Sequence, residues 1–295
     1  ATYLVEKLNM PENQADEMAA NLSGRVYWGG KPFTSGPAYV GSVICLLFLL
    51  GMFMLDGKYK WWMLSASVVG IILATGKNMP GINNFLFEYL PFYNKFRTPE
   101  MALVIPEILF PMIAVLTVEK VITGDATENI KRFKWGAIAV AALFVIIGAF
   151  YFTSDYSNEN KQRTSAINIA FSKQDSTLNN QLQEINQKYE AQSDNRVYEE
   201  LLYQSKGDTQ IAKGLLSSLR KDRESFFRND IVRALFFSLL TLAIIALFLY
   251  KKINSTIVMI ALPILVAFDL IPFGMHYVNE KSFESADKYQ ANQFT

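Results

Sequence analysis

Two cations, an acid and three aromatic rings crowd one short stretch, Leu90-Pro91-Phe92-Tyr93-Asn94-Lys95-Phe96-Arg97-Thr98-Pro99-Glu100. Arg97 can grip a phosphate with two parallel N–H donors, and Lys95 can neutralise it as a compact charge. The chemistry in view is the holding of an anionic headgroup at a membrane surface. Pro91 and Pro99 each disfavour helix in the residue before them, which predicts a defined turn leading into a new helix. Simple headgroup anchoring, with an ion pair from Arg97 to Glu100, is the plainer use of the same residues. Glu107 follows Glu100 by seven residues, roughly 10 Å along a helix. An ionisable group at that depth must pair or face water, which marks it for a binding pocket or a proton path. Pro106 and Pro111 flank it and free backbone carbonyls that could line such a pocket. A protonated Glu107 bonded to a neighbouring helix would serve structure alone. Asp269 and His276 stand near the end of the last apolar run, where capping or snorkelling is the structural alternative. Arg228, Asp230 and Arg233 open the run before it and read as an interfacial ion cluster.

The elements that must position these residues are membrane spans. The chain has 295 residues, 51% of them apolar and only 19% charged, which argues against an ordinary soluble enzyme. A spanning helix needs about 20 mostly apolar residues, and six runs approach this: Tyr39 to Leu55, Trp61 to Gly76, about Met101 to Val118, Trp135 to Thr153, Ala234 to Tyr250 and about Thr256 to Phe273. The connections after the first, third and fifth carry Lys58, Lys60, Lys120, Lys131, Arg132, Lys134, Lys251 and Lys252. Cytoplasmic loops hold the excess of basic residues, so these ends are expected inside. The long polar insert between the fourth and fifth runs is expected outside. In it, Leu178, Leu182, Ile185 and Tyr189 fall on one helical stripe. Asp208-Thr209 offers a cap for a second helix carrying Ile211, Leu215 and Leu219, which would run on through Phe226 and Phe227 into the fifth span.

The expected class is therefore an all-α polytopic membrane bundle of about six transmembrane helices with an extracytoplasmic helical insert. Its expected parts are an extracytoplasmic segment (1–37), four bundle helices (38–153), the insert (154–229), two further bundle helices (230–274) and an extracytoplasmic tail (275–295). The absence of a signal peptide and the open polar end of the chain lead us to expect an internal piece of a longer protein, with the remainder of that chain as a partner.

Several functions are set aside. A net charge of +1 offers no field to steer nucleic acid. One Cys, Cys45, and one His, His276, exclude the usual zinc ligand sets and make a Ser-His-acid triad improbable. Gly70 to Lys77 has the wrong glycine spacing for a phosphate loop, and Asn78 replaces the required hydroxyl residue. No cofactor and no metal are expected, and membrane lipid is the partner in view.

Tyr27-Trp28-Gly29-Gly30-Lys31-Pro32-Phe33-Thr34-Ser35-Gly36-Pro37-Ala38-Tyr39-Val40-Gly41, then Gly76-Lys77-Asn78, then Tyr93-Asn94-Lys95-Phe96-Arg97-Thr98-Pro99 resemble the YfhO family of bacterial membrane proteins. Asp230 with Arg233, Asp269-Leu270 and the tail from Phe283 to Thr295 follow in the same order, so the resemblance covers nearly the whole chain. It implies a multi-pass protein of the bacterial inner membrane and cell envelope, similar to the GT-C class of glycosyltransferases. These take a sugar from a polyprenyl-phosphate donor on the extracytoplasmic face. With that class in view, the expected mechanism has Lys95 and Arg97 holding the donor phosphate, with Glu100 beside them; Glu107 and Asp269 are candidates to line the cavity, though no motif assigns them a role. The resemblance assigns no catalytic residue, because the acid of that class usually lies in a first loop, after which this chain is expected to start. A transporter built on Glu107, or a membrane scaffold, are the readings from other classes.

Overall fold

The computed structural model describes residues 38–76, 79–95, 99–157, 194–205 and 207–277, and among them every regular element is helical. In chain order these are α1 (Ser42–Met54), α2 (Tyr59–Thr75), α3 (Pro80–Tyr89), two 3-10 turns (Tyr93–Lys95 and Pro99–Leu103), α4 (Val104–Thr123), α5 (Ala126–Thr153), α6 (Asp194–Gln204), α7 (Thr209–Leu249) and α8 (Ser255–Tyr277). Among the described residues four helical stretches are long and apolar enough to cross a membrane: Pro99–Thr123, Ala126–Thr153, Thr209–Leu249 and Ser255–Met275. The protein is an all-α membrane helix bundle.

Helices α1 and α2 are apolar but shorter, with 13 and 17 residues. At 1.5 Å per residue α1 reaches only about 20 Å, well short of a hydrocarbon core of about 30 Å. The expected run from Tyr39 is cut at Ser42 because Gly41 adopts φ +95° and ψ 144°, a conformation in practice reserved for glycine. The shortness makes sense from burial. Val43, Leu46, Leu47, Phe48, Leu50, Gly51 and Met54 are all buried, so most of the apolar surface of α1 packs on its neighbours, while Cys45 and Phe53 stay exposed.

The described residues group into two compact units, one made of those up to 148 with 231–277 and the other of those between 149 and 230. In the first, the core of α1 packs with Ala114 and Val121 of α4, Phe133 and Val140 of α5, and Ile245 and Leu249 of α7. A Cβ added at Gly51 would strike the Thr117 hydroxyl and come within 2.7 Å of Ile113 Cγ2, so α1 and α4 touch backbone to side chain. Gly136 does the same for α5, where a Cβ would lie 2.6 Å from Leu50. Such small residues are how membrane helices approach closely enough to gain van der Waals contact without a hydrophobic drive.

The C-terminal end of α1 is closed by cations from elsewhere. Lys60 Nζ donates to the carbonyls of Met52 (2.8 Å) and Leu55 (2.7 Å), and Arg132 Nη1 donates to that of Met54 (2.9 Å). Positive charge there complements the helix dipole and satisfies carbonyls left over at the last turn. Asp56, in the loop that follows, receives Lys120 at 2.8 Å and Arg132 at 2.5 Å, and Arg132 also pairs with Glu128. Those two cations hold the Asp56 carboxyl down at about 2. Asn129, fully buried, donates to the carbonyls of Lys120 and Val121 and closes the end of α4. Lys60, Lys120 and Arg132, three of the basic residues expected on one side, thus share one end of the bundle.

The second unit has its own small core. Val197 and Leu201 of α6 pack on Ala212, Leu215 and Leu219 of α7. Asp208 caps α7, its carboxylate accepting from the amides of Gln210 (2.8 Å) and Ile211 (3.1 Å). The helix then runs unbroken for 41 residues through Phe226 and Phe227, as the Asp208 signal and the apolar run beyond it lead one to expect. Asp194, 1% exposed, bridges Arg220 and the buried Arg223 at 2.8 and 2.7 Å. The expected stripe from Leu178 to Tyr189 lies outside the described residues.

Candidate functional site

The most tightly built polar group lies at the N-terminal end of α1. Asp269, wholly buried on α8, points its Oδ2 at the first amides of α1, with Ser42 N at 2.5 Å and Val43 N at 3.3 Å. Its Oδ1 accepts from the Tyr39 hydroxyl at 2.8 Å and lies 3.3 Å from Arg233 Nη2. The same guanidinium nitrogen donates to the backbone carbonyl of Asp269, and the guanidinium carbon sits 5.5 Å from the centre of the Tyr39 ring. Tyr39 in turn lies against Phe273, with ring centres 4.3 Å apart. A carboxylate has about four lone-pair positions, and here each oxygen already serves two donors. A Cβ at Gly41 would come within 3.1 Å of Asp269 Oδ2 and of Leu270, so the glycine is what lets the carboxylate approach.

Physically this is a helix cap delivered from another helix. The first amides of a helix have no internal partner, and in a membrane each such orphan is costly. The negative charge also faces the positive end of the α1 dipole. Both ends of the buried α1 are therefore closed by opposite charges borne on other elements: Asp269 at its start, Lys60 and Arg132 at its finish.

A second, open group surrounds the start of α4. Lys95 is exposed and sits in the 3-10 turn Tyr93–Lys95. Tyr93, 8% exposed, pins that turn by donating to Asn83 Oδ1 of α3 at 3.0 Å. Around it Phe85, Phe87, Tyr89 and Phe92 are exposed. Arg97 lies outside the described residues. Glu100 is half-buried in the 3-10 turn Pro99–Leu103. That turn packs on the end of α2, where a Cβ at Gly70 would meet the Ala102 carbonyl at 3.1 Å and one at Gly76 would meet Pro99 at 3.4 Å. Because the α-helix proper begins only at Val104, Glu107 falls in its first turn, where it is exposed and favourably placed for the helix dipole.

The residues singled out in the sequence thus fall into two groups. Lys95, Glu100 and Glu107 follow one another into α4 beside α2 and α3, whereas the contacts of Asp269 run to Tyr39, α1 and α7. Sequence reasoning overlooked Tyr39, Gly41 and Ser42 as partners of Asp269 and gave Arg233 only an interfacial role. The available signal was an uncharged Tyr-Val-Gly-Ser lead into an apolar run, with one acid and one arginine inside otherwise apolar runs. No family model, curated protein or solved structure matches this chain.

Proposed function

We propose that this chain is the membrane-embedded part of a bacterial inner-membrane protein that transfers a sugar from a polyprenyl-phosphate donor to an acceptor outside the cytoplasm. The observation that carries the reading is the exposed Lys95 on a turn pinned by Tyr93 and rimmed by exposed aromatic rings at the start of an apolar helix. Aromatic rings favour the headgroup level, and a cation fixed there meets a lipid phosphate without reaching into hydrocarbon. Arg97, two residues on, adds a bidentate donor. As the bond between the sugar and the phosphate breaks, negative charge gathers on the phosphate, and both cations lower the energy of that state. We assign no catalytic base to the residues described above. The common end occupied by Lys60, Lys120 and Arg132 supports a cytoplasmic location for it, with the Lys95 turn on the opposite face.

The test is transfer of radiolabelled sugar from polyprenyl-phosphate donors by the protein reconstituted in vesicles. Lys95→Gln with Arg97→Gln should cut transfer at least tenfold while leaving insertion unchanged; normal transfer by the double variant would remove the proposed role.

Exposure of Glu107 in the first turn of a proline-containing helix favours one other reading, a transporter in which Glu107 carries the proton or substrate. A pH-dependent flux abolished by Glu107→Gln would select it. If neither the Lys95→Gln, Arg97→Gln pair nor Glu107→Gln changes any activity, a scaffold role is what is left.

A further inference from the structure

Helices α7 and α8 leave between them an apolar groove of about 620 Å³, walled by Phe236, Phe237 and Leu240 on one side and by Ile257, Ile264 and Phe268 on the other. From Ile257 to Phe268 it follows α8 for roughly 16 Å. That is close to half of a hydrocarbon core of about 30 Å, the depth of one leaflet. A chain the length of an ordinary acyl tail fills such a groove, whereas a long isoprenoid overruns it.

The groove ends at a charge. Arg233, Phe236, Phe237 and Leu240 stand at i, i+3, i+4 and i+7 on α7 and so share one face, and Asp269 directly follows Phe268. Arg233 marks the point where the apolar run of α7 begins, the level of a headgroup. Its side chain is 29% exposed. Nη2 is held by the carbonyl and carboxylate of Asp269 and the guanidinium by the Tyr39 ring, so the fork is fixed in place. Among the described residues Nε and Nη1 have no partner; they point to opposite sides of the guanidinium, so with Nη2 already held, a phosphate meets one charge-assisted donor rather than a fork. The Asp269 carboxylate does not cancel the attraction, because the N-terminus of α1 contributes about half a positive charge beside it.

We propose that Arg233 and the α7–α8 groove form a binding site for one anionic glycerophospholipid, its phosphate on Nη1 and one acyl chain along the groove. The site shares no residue with the Lys95 turn and stands whether or not the sugar-transfer reading holds.

The test uses the purified protein in mild detergent, titrated with phosphatidylglycerol or with phosphatidylcholine of the same chains, and bound lipid read by native mass spectrometry. One phosphatidylglycerol should be retained about tenfold more strongly, because the choline cation beside the phosphate of phosphatidylcholine offsets the attraction to Arg233. Ala261→Trp, which fills the groove without touching the Arg233–Asp269 pair, should abolish that retention, and Leu240→Trp is the second filling variant should the first fail to fold. Arg233→Gln should bind both lipids equally. Equal retention of both lipids by the native protein would overturn the proposal. So would undiminished phosphatidylglycerol binding by a folded groove-filled variant, displacement of phosphatidylglycerol by equimolar polyprenyl phosphate, or a dimer that carries no lipid.

Discussion

Replacing Asp269 with Asn changes the shape of one buried side chain hardly at all and removes its charge, so it isolates what the carboxylate does for α1. In the native protein Oδ2 faces two backbone amides and Oδ1 faces the Tyr39 hydroxyl and Arg233. An amide must turn its NH2 toward one of these two sets. Either the first turn of α1 loses its acceptor, or Tyr39 and Arg233 do. Removing one partner of a buried ion pair costs about 3–5 kcal/mol, and the lower end applies because Arg233, 29% exposed, can regain some water. We expect Asp269→Asn to cost about 3 kcal/mol, roughly two orders of magnitude in the folding equilibrium. Arg233→Gln should cost less, about 1–2 kcal/mol, since Asp269 keeps two amides and the α1 dipole. Tyr39→Phe should cost about 1 kcal/mol, the worth of one hydrogen bond. The assay is reversible unfolding in mixed micelles followed by helical circular dichroism. A cost below 1 kcal/mol for Asp269→Asn, or one equal to that of Tyr39→Phe, would refute the idea that charge holds the start of α1.

Three further outcomes are expected. Gly51→Val should push α1 from α4 and cost about 1–3 kcal/mol through overpacking against Ile113 and Thr117; unfolding by the same assay checks it, and no loss would contradict the close packing. Asp194→Asn should strip Arg223 of its buried counter-ion at about 3–5 kcal/mol; hydrogen exchange should then show lost protection in α6, and intact protection would refute the pairing. The Asp56 carboxyl titrates at about 2 in the folded protein, below its unfolded value. Its stabilising contribution is therefore complete above the unfolded value, near 4, and is lost as pH falls through about 2. A carbon-13 carboxyl shift of Asp56 that titrates near 4 would contradict the clamp by Lys120 and Arg132.

Much of the architecture is written locally. Crossing hydrocarbon demands a run of apolar residues, and that demand is met or missed within each segment, so the apolar runs are visible before any packing is known. The cap at Asp208 and the continuity of α7 through Phe226 and Phe227 are equally local, since a cap reaches only the next few amides. The pull of basic residues to one end is also readable, and Lys60, Lys120 and Arg132 do converge there. The turn at Lys95 follows from Pro91 and Pro99, although what the turn binds does not follow from them.

What the sequence could not settle is where α1 starts and which polar groups are available to a ligand. Tyr39-Val40-Gly41 is uncharged and could have prolonged the helix; it does not, because Gly41 turns to φ +95° and a carboxylate 227 residues further on takes the Ser42 amide. Glu107 lies in the first turn of α4 because the residues before it form a tighter 3-10 turn, within a helical stretch that begins at Pro99. The sequence by itself determined that this is an apolar helical membrane protein and where its charges must gather. Only the tertiary structure decided that Asp269 is enclosed by its partners while Lys95 and part of Arg233 stay open. Hydrophobicity is carried by each segment alone, but the satisfaction of a charge depends on what distant segments bring within about 3 Å of it.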